Sequence, residues 1–182
     1  MKKWIYLIMV AFITTLSFSL TSCGDDDDDE PSASGQQIEI NGVKYNLSSY
    51  FQMYGFWTDM AELYGDEYKS ESFVSLPIFV DIGNAIDNYF FMWKSVKEPQ
   101  VGDDLTKKTD FTLTPYLDDT SVKEVDYNYS SGSAKIVSTN KSKNESEQEI
   151  TIQFVNLKMV HGGNSFTFNG TVTLPFTFET TK

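Results

Sequence analysis

The sequence has no arginine, one histidine and one cysteine among its 182 residues. Each shortage closes off a class of chemistry. Fourteen lysines stand against 26 acidic residues, for a formal charge of −12. Nucleic acid and anionic headgroups are bound through clustered cations, so both are poor partners. A lone cysteine leaves no intramolecular disulfide to form. With one histidine beside it, there is no ligand set for zinc. That histidine, His161, lies in the Gly-rich stretch His161-Gly162-Gly163-Asn164. A Ser-His-Asp triad would have to use it, yet no Gly-x-Ser-x-Gly elbow is present, and a solvated turn residue is the simpler reading. No phosphate-cradling loop and no internal repeat is visible. No cofactor and no metal are expected.

What is present starts with a basic N-terminus, Lys2-Lys3, then an uncharged, mostly apolar run over 4–20. A basic start, an apolar core and small residues before a cut site describe a secretory signal peptide. The run is near the lower limit for spanning a bilayer as a helix. It ends in Leu20-Thr21-Ser22-Cys23, which resembles the lipobox of bacterial lipoproteins. The resemblance implies cleavage before Cys23 and lipidation of its thiol, chemistry that rests on the nucleophilicity of a thiolate. Several acyl chains, at about 0.8 kcal/mol per buried CH₂, anchor stably where one would not. The competing reading is an ordinary secretion signal with a chance cysteine.

Gly24 and the acidic run Asp25 to Glu30 follow. Such a run resembles the post-cysteine export signal of surface lipoproteins of the Bacteroidetes type, which implies an outer-membrane protein facing the cell exterior. Its physical effect is independent of that, since like charges repel and keep a linker extended. The 12 residues of 24–35, rich in Asp, Ser, Pro and Gly, cannot pack a core and reach about 40 Å at roughly 3.4 Å each. The expected division is therefore signal peptide 1–22, lipidated cysteine and acidic tether 23–36, and one domain over 37–182. In that domain 12 lysines face 20 acidic residues, a net −8.

Aromatic residues make up 15% of the chain, and with abundant β-branched residues they favour strands. Around Asn41-Gly42, a two-residue turn sets Ile40 against Val43 and Ile38 against Tyr45, with Leu47 on the same face. Over 48–72 the pattern gives a short strand or loop, then a helical turn near 58–64 stopped by Gly65. Residues 73–82 read as a strand with Val74, Leu76, Ile78, Val80 and Ile82 buried, and Pro77 marks it as an edge or bulged strand. Residues 88–96 are apolar on both faces and suit a central strand covered on each side. Segments 111–116, 122–129 and 133–138 read as three more strands, the last two joined at Ser130-Ser131-Gly132. From Ile150 the apolar parity slips after Phe154, which calls for a bulge near Val155-Asn156. Phe166 to Phe178 keep one parity straight through Asn169-Gly170. That Asn-Gly pair therefore sits inside one long strand rather than at a turn. Nine or ten short strands predict an antiparallel β-sandwich, with a lipocalin-like β-barrel as the alternative. The runs Ile150-Thr151-Ile152-Gln153-Phe154, Phe168-Asn169-Gly170-Thr171-Val172 and Ile40-Asn41-Gly42-Val43-Lys44-Tyr45 also resemble small β-domains of Bacteroidetes lipoproteins.

The carboxylate pairs Asp66-Glu67, Asp103-Asp104 and Asp118-Asp119 could supply hydrolase acids or calcium oxygens. Each lies in a turn-like stretch, where Asp serves local backbone hydrogen bonds. The one stretch with ligand potential holds Tyr50, Phe51, Tyr54, Phe56, Trp57, Tyr64 and Tyr68. Aromatic faces stack on sugar rings, with Asp59 and Glu62 at hand for hydroxyls, although aromatic residues of a β-domain also form its core. Tyr54, Trp57 and Tyr64 are the ligand-binding candidates. The expectation is a non-enzymatic, lipid-anchored envelope protein that binds a glycan or another protein. A lipocalin-like carrier of an apolar ligand and a carboxylate-dependent hydrolase are the alternatives.

Overall fold

A computed structural model of the chain describes residues 36–48, 54–142, 144 and 147–178. The signal sequence, Cys23 and the acidic run lie outside the described residues, as do Tyr50 and Phe51. Strands β1 (Gln37–Ile40) and β2 (Val43–Asn46) form the expected hairpin. Asn41 and Gly42 have φ of 53° and 82°, the positive values that a two-residue turn of this type demands. Ile38 pairs with Tyr45 and Ile40 with Val43. Ile38 and Ile40 are buried and Tyr45 packs against the core, but Val43 is 51% exposed. The hairpin face that carries it runs past the edge of the core.

The chain continues through β3 (Gly55–Thr58), a short helix α1 (Met60–Tyr64) and a 3-10 turn (Asp66–Glu71). Then come β4 (Phe73–Asp81), β5 (Ile86–Lys94), β6 (Thr112–Tyr116), β7 (Tyr127–Asn140), β8 (Glu149–His161) and β9 (Asn164–Thr177). From β3 to β9 each strand pairs antiparallel with the next, and β9 returns to pair parallel with β3. Seven strands thus close into a barrel, and the expected β-sandwich is not formed. A sandwich needs two sheets facing each other, whereas here one sheet meets its own edge. The length of β9 makes this possible. Its first half pairs with β1 through Phe168 and Asn169, and its last residues pair with β3 through Phe176 and Thr177. Leu47 bridges to Val80 and Ser48 N–H donates to Phe79 C=O. β2 and β3 therefore follow one another along β4, and the β1–β2 hairpin fills the wall where β3 stops.

The interior is filled. Phe91 on β5 meets Phe154 on β8 and Phe168 on β9, at ring separations of 5.5 and 5.2 Å. Tyr89 meets Phe166 and Phe168 at 5.5 and 5.4 Å. At least two strands separate β5 from β8 and β9 in either direction around the wall, so these contacts run straight across the barrel. Leu105, in a 3-10 turn of the β5–β6 connection, is 1% exposed and inserts from outside the strands. That connection also lies against β7, with Gly102 N–H donating to Ile136 C=O and Ile136 N–H to Asp103 C=O.

Five further expectations fare unequally. The bulge in β8 is present, with the register slipping between Phe154 and Leu157 and Asn156 at φ 46°. β9 does run unbroken through Gly170. The turn at 130–132 is absent: β7 is one 14-residue strand, and 122–126 is loop. Gly132 is there because a Cβ at that position would stand 2.0 Å from Asn156 C=O, so it marks close backbone approach rather than a reversal. β4 is not an edge strand either. Pro77 falls between Ser75, the last partner of β3, and the bridge at Val80. Phe79 C=O, two residues on, points toward β2, so the missing N–H of Pro77 points to the same side, where no ladder pair is described. On the outward face of β5, Phe90 stands edge-on to Tyr116 of the same wall at 6.2 Å, and among the described residues no second sheet covers it.

Candidate functional site

The segment from Tyr54 to Glu71 carries the aromatic candidates, and its local chemistry makes it a firm loop at one end of the barrel. Asp59 caps α1, accepting from Ala61 N–H at 2.9 Å and from Ser72 Oγ at 3.2 Å. Ser72 Oγ in turn accepts from Met60 N–H at 3.1 Å. Gly65 stops the helix with φ 99°, its N–H donating to Ala61 C=O at 2.8 Å. A cap on one side and a glycine on the other fix both ends of a helix too short to hold itself.

This loop sends the candidates in different directions. Trp57 lies opposite Val74, one of the fully buried residues of β4. It packs against the core, and its Nε1–H donates to Ser95 C=O at 3.0 Å. Trp57 therefore ties β3 to the β5–β6 connection. Tyr54, just before β3, is 39% exposed. Tyr64 is 57% exposed and its ring stands 5.8 Å from that of Tyr68, which is also exposed. The exposed Leu63 lies beside them in sequence. Glu62, Asp66, Glu67 and Glu71 are exposed on the same short segment, against Lys69. The result is an aromatic ledge with carboxylates around it. Ring faces there can stack on an apolar or sugar face, the carboxylates can accept from hydroxyls, and the net negative charge disfavours an anionic ligand. The contact of Tyr64 with Tyr68 crosses the helix stop at Gly65, so helical spacing does not announce it, and nothing in the sequence points to Ser95 as the partner of Trp57.

No protein family, curated protein or solved structure gives a significant match to the chain.

The remaining acidic pairs serve their own loops. Asp104 accepts from Thr106 Oγ1 at 2.7 Å and Thr106 N–H at 3.2 Å, and pairs with Lys107. Burial works to raise its pKa, but the Thr106 bonds and Lys107 outweigh burial and hold the carboxyl below its usual value. Asp103 pairs with Lys108 at 3.0 Å. Asp119 accepts from Ser121 N–H at 2.9 Å, and Asp118 N–H donates to Asp87. Asp66 and Glu67 open the exposed 3-10 turn. His161 is exposed at the end of β8, its Nδ1 3.1 Å from Asp126 C=O. Among the described residues, no group of three or more His, Cys, Asp or Glu side chains could hold a metal ion.

Proposed function

We propose that this is a lipid-anchored cell-envelope protein, held in the outer membrane through Cys23 and facing the cell exterior, whose barrel is a non-catalytic module that binds a glycan. The observation that carries the binding reading is the exposed Tyr64–Tyr68 pair on a doubly capped loop amid carboxylates. Stacking on paired rings with hydroxyls bonded to acidic groups suits a neutral sugar better than an anion or a lipid chain. The anchor and the location rest on the sequence from Leu20 to Glu30.

A second reading, a lipocalin-like carrier, draws support from the closed up-and-down barrel. It is the weaker one because rings from opposite walls touch across the middle, where such a carrier would hold its ligand. A hydrolase draws little support, since the Asp103, Asp104 and Asp119 carboxylates are bonded to their own loops.

The test is a glycan array probed with the wild-type chain and with Tyr64→Ala/Tyr68→Ala. Both side chains are exposed, so the variant should melt near the wild type while losing binding at least tenfold. Binding that survives the double change refutes the ledge. For the anchor, Cys23→Ala should remove metabolic fatty-acid label from the protein, and undiminished label refutes the lipobox reading.

A further inference from the structure

The chain holds two Asn-Gly pairs, Asn41-Gly42 and Asn169-Gly170. In this dipeptide the backbone nitrogen of glycine has no side chain to block its approach to the preceding side-chain amide. The fold puts the two pairs in opposite surroundings. Asn41 and Gly42 are exposed, and a Cβ on Gly42 would meet no atom within 4 Å. The Oδ1 of Asn41 accepts from Thr167 N–H at 2.8 Å. That donor sits on the atom that takes negative charge when a nucleophile adds to the amide carbon, an arrangement that stabilises an oxyanion.

Asn169 also has a backbone donor on its Oδ1, Asn156 N–H at 2.6 Å, so the donor alone does not separate the two. The freedom of the following amide does. Gly170 pairs with Phe154 on β8, and Asn169 pairs with Glu39 on β1. Asn169 Nδ2 donates to the Glu39 carboxylate at 3.3 Å, and a Cβ on Gly170 would lie 3.4 Å from Gln37 C=O. Swinging the Gly170 nitrogen over the Asn169 side chain would break ladders on both sides. At 41–42, Asn41 is held by its two bonds to Thr167, but Gly42 lies beyond the last ladder pair, Ile40 and Val43, and its nitrogen can swing without breaking a ladder.

We propose that Asn41 is a site of spontaneous deamidation in the folded protein and that Asn169 is protected. The Gly42 nitrogen gives up its proton to solvent base and bonds to Asn41 Cγ. The Cγ–Nδ2 bond breaks, and Nδ2 takes a proton from water and leaves as ammonia. The cyclic imide then adds one water at either carbonyl, giving aspartate or isoaspartate. No oxidant, reductant or cofactor takes part. Aspartate keeps an oxygen for Thr167 N–H. Isoaspartate routes the main chain through the side-chain carbon and lengthens the turn by one atom. That strains the Ile40–Val43 pair and the bond from Asn41 N–H to Thr167 C=O. The affected element is the hairpin that completes the barrel wall, so the reaction is a slow, one-way loosening of that seam.

The full chain is incubated in mildly alkaline buffer, folded and in denaturant, and both sites are followed by peptide mapping. Mass spectrometry reads the one-dalton gain, and fragmentation distinguishes isoaspartate from aspartate. In denaturant the two sites should convert at similar rates. In the folded chain, conversion at Asn169 should slow at least tenfold while that at Asn41 stays within a few-fold of its denatured rate. Equal suppression of both sites, or faster conversion at Asn169, overturns the proposal. Asn41→Asp, which keeps the acceptor but has no amide to lose, should show no one-dalton gain at position 41 and an unchanged rate at Asn169; a change at Asn169 would show that the two sites are coupled and refute the assignment.

Discussion

Phe91→Ala decides whether the barrel is a packed body or a container. The ring is fully buried and touches three others, Phe111, Phe154 and Phe168, at 5.9, 5.5 and 5.2 Å. Truncating a buried Phe costs about 3–5 kcal/mol, and the figure depends on how far the surroundings collapse. Here the contacts come from walls locked in one hydrogen-bonded ring, which cannot move inward without breaking ladders. Each lost ring pair adds about 0.5–1.5 kcal/mol beyond its area. The upper end of the range, about 5 kcal/mol, is therefore expected. That is a large share of the roughly 5–15 kcal/mol that holds a domain together. At roughly 2–4 °C per kcal/mol for a domain of this size, the midpoint should fall by on the order of 10–20 °C. The new void should also take up a benzene-sized apolar probe, as dry engineered cavities do, while the wild type does not. The assay is a thermal melt of both proteins with and without probe. A variant that melts within a degree or two of wild type, or a wild type that itself takes up the probe, would show an open lumen. Either result would restore the carrier reading.

Trp57→Ala should lose about 1–3 kcal/mol in denaturant melts. This is less than a fully buried aromatic would lose, but it includes the unpaired Ser95 carbonyl; an unchanged midpoint would place Trp57 on the ledge instead. Gly132→Ala should destabilise by at least about 2 kcal/mol, combining a left-handed conformation with a clash against the Asn156 backbone. A neutral result in the same melts would mean that the bulges of β7 and β8 slide apart freely. Burial first, then the neighbouring Asp87 and Tyr45, push the Tyr89 phenol above its ordinary value of 10.0. The unfolded chain therefore ionises first, and stability that is full below about pH 10 should fall as pH rises beyond it. Lys94, raised by its bond to Asp110, adds to the same alkaline loss. Tyr89→Phe should flatten that limb of a stability-against-pH curve, and a limb identical to wild type would refute the assignment.

The inside of this barrel was legible in the sequence, and its closure was not. Side-chain alternation reports which residues share a face, and it placed Val74, Leu76, Ile78 and Val80 correctly, along with the slip after Phe154. A sandwich and a barrel produce the same alternation, so the choice between them depends on which edges meet. That choice rests on β9 having room for both β1 and β3, a matter of strand lengths that no local pattern encodes. The stretch 130–132 misled for a related reason, because Gly serves both at reversals and where two backbones press together. The aromatic stretch was legible as a group only. Whether a ring faces the core depends on parity within β3, a strand of four residues, too short to declare its own period.

With the barrel filled by rings, the binding we propose falls to the connections, and these are unequal at the two ends. The end that carries α1 also carries the connections over 95–111 and 141–148, whereas two of the reversals at the other end, at 41–42 and 162–163, are two residues long. β1 begins toward the loop-rich end, with Gln36 Oε1 accepting from Thr173 N–H, far along β9. The described residues thus begin, at Gln36, on the end that carries the Tyr64–Tyr68 ledge. Residues 24–35 can reach about 40 Å, and the repulsion among Asp25 to Glu30 favours the extended forms. If Cys23 is the anchor we propose, a stretch of that reach is long enough to lift a domain clear of lipid headgroups, a use of the acidic run that follows from electrostatics alone, whatever else it signals.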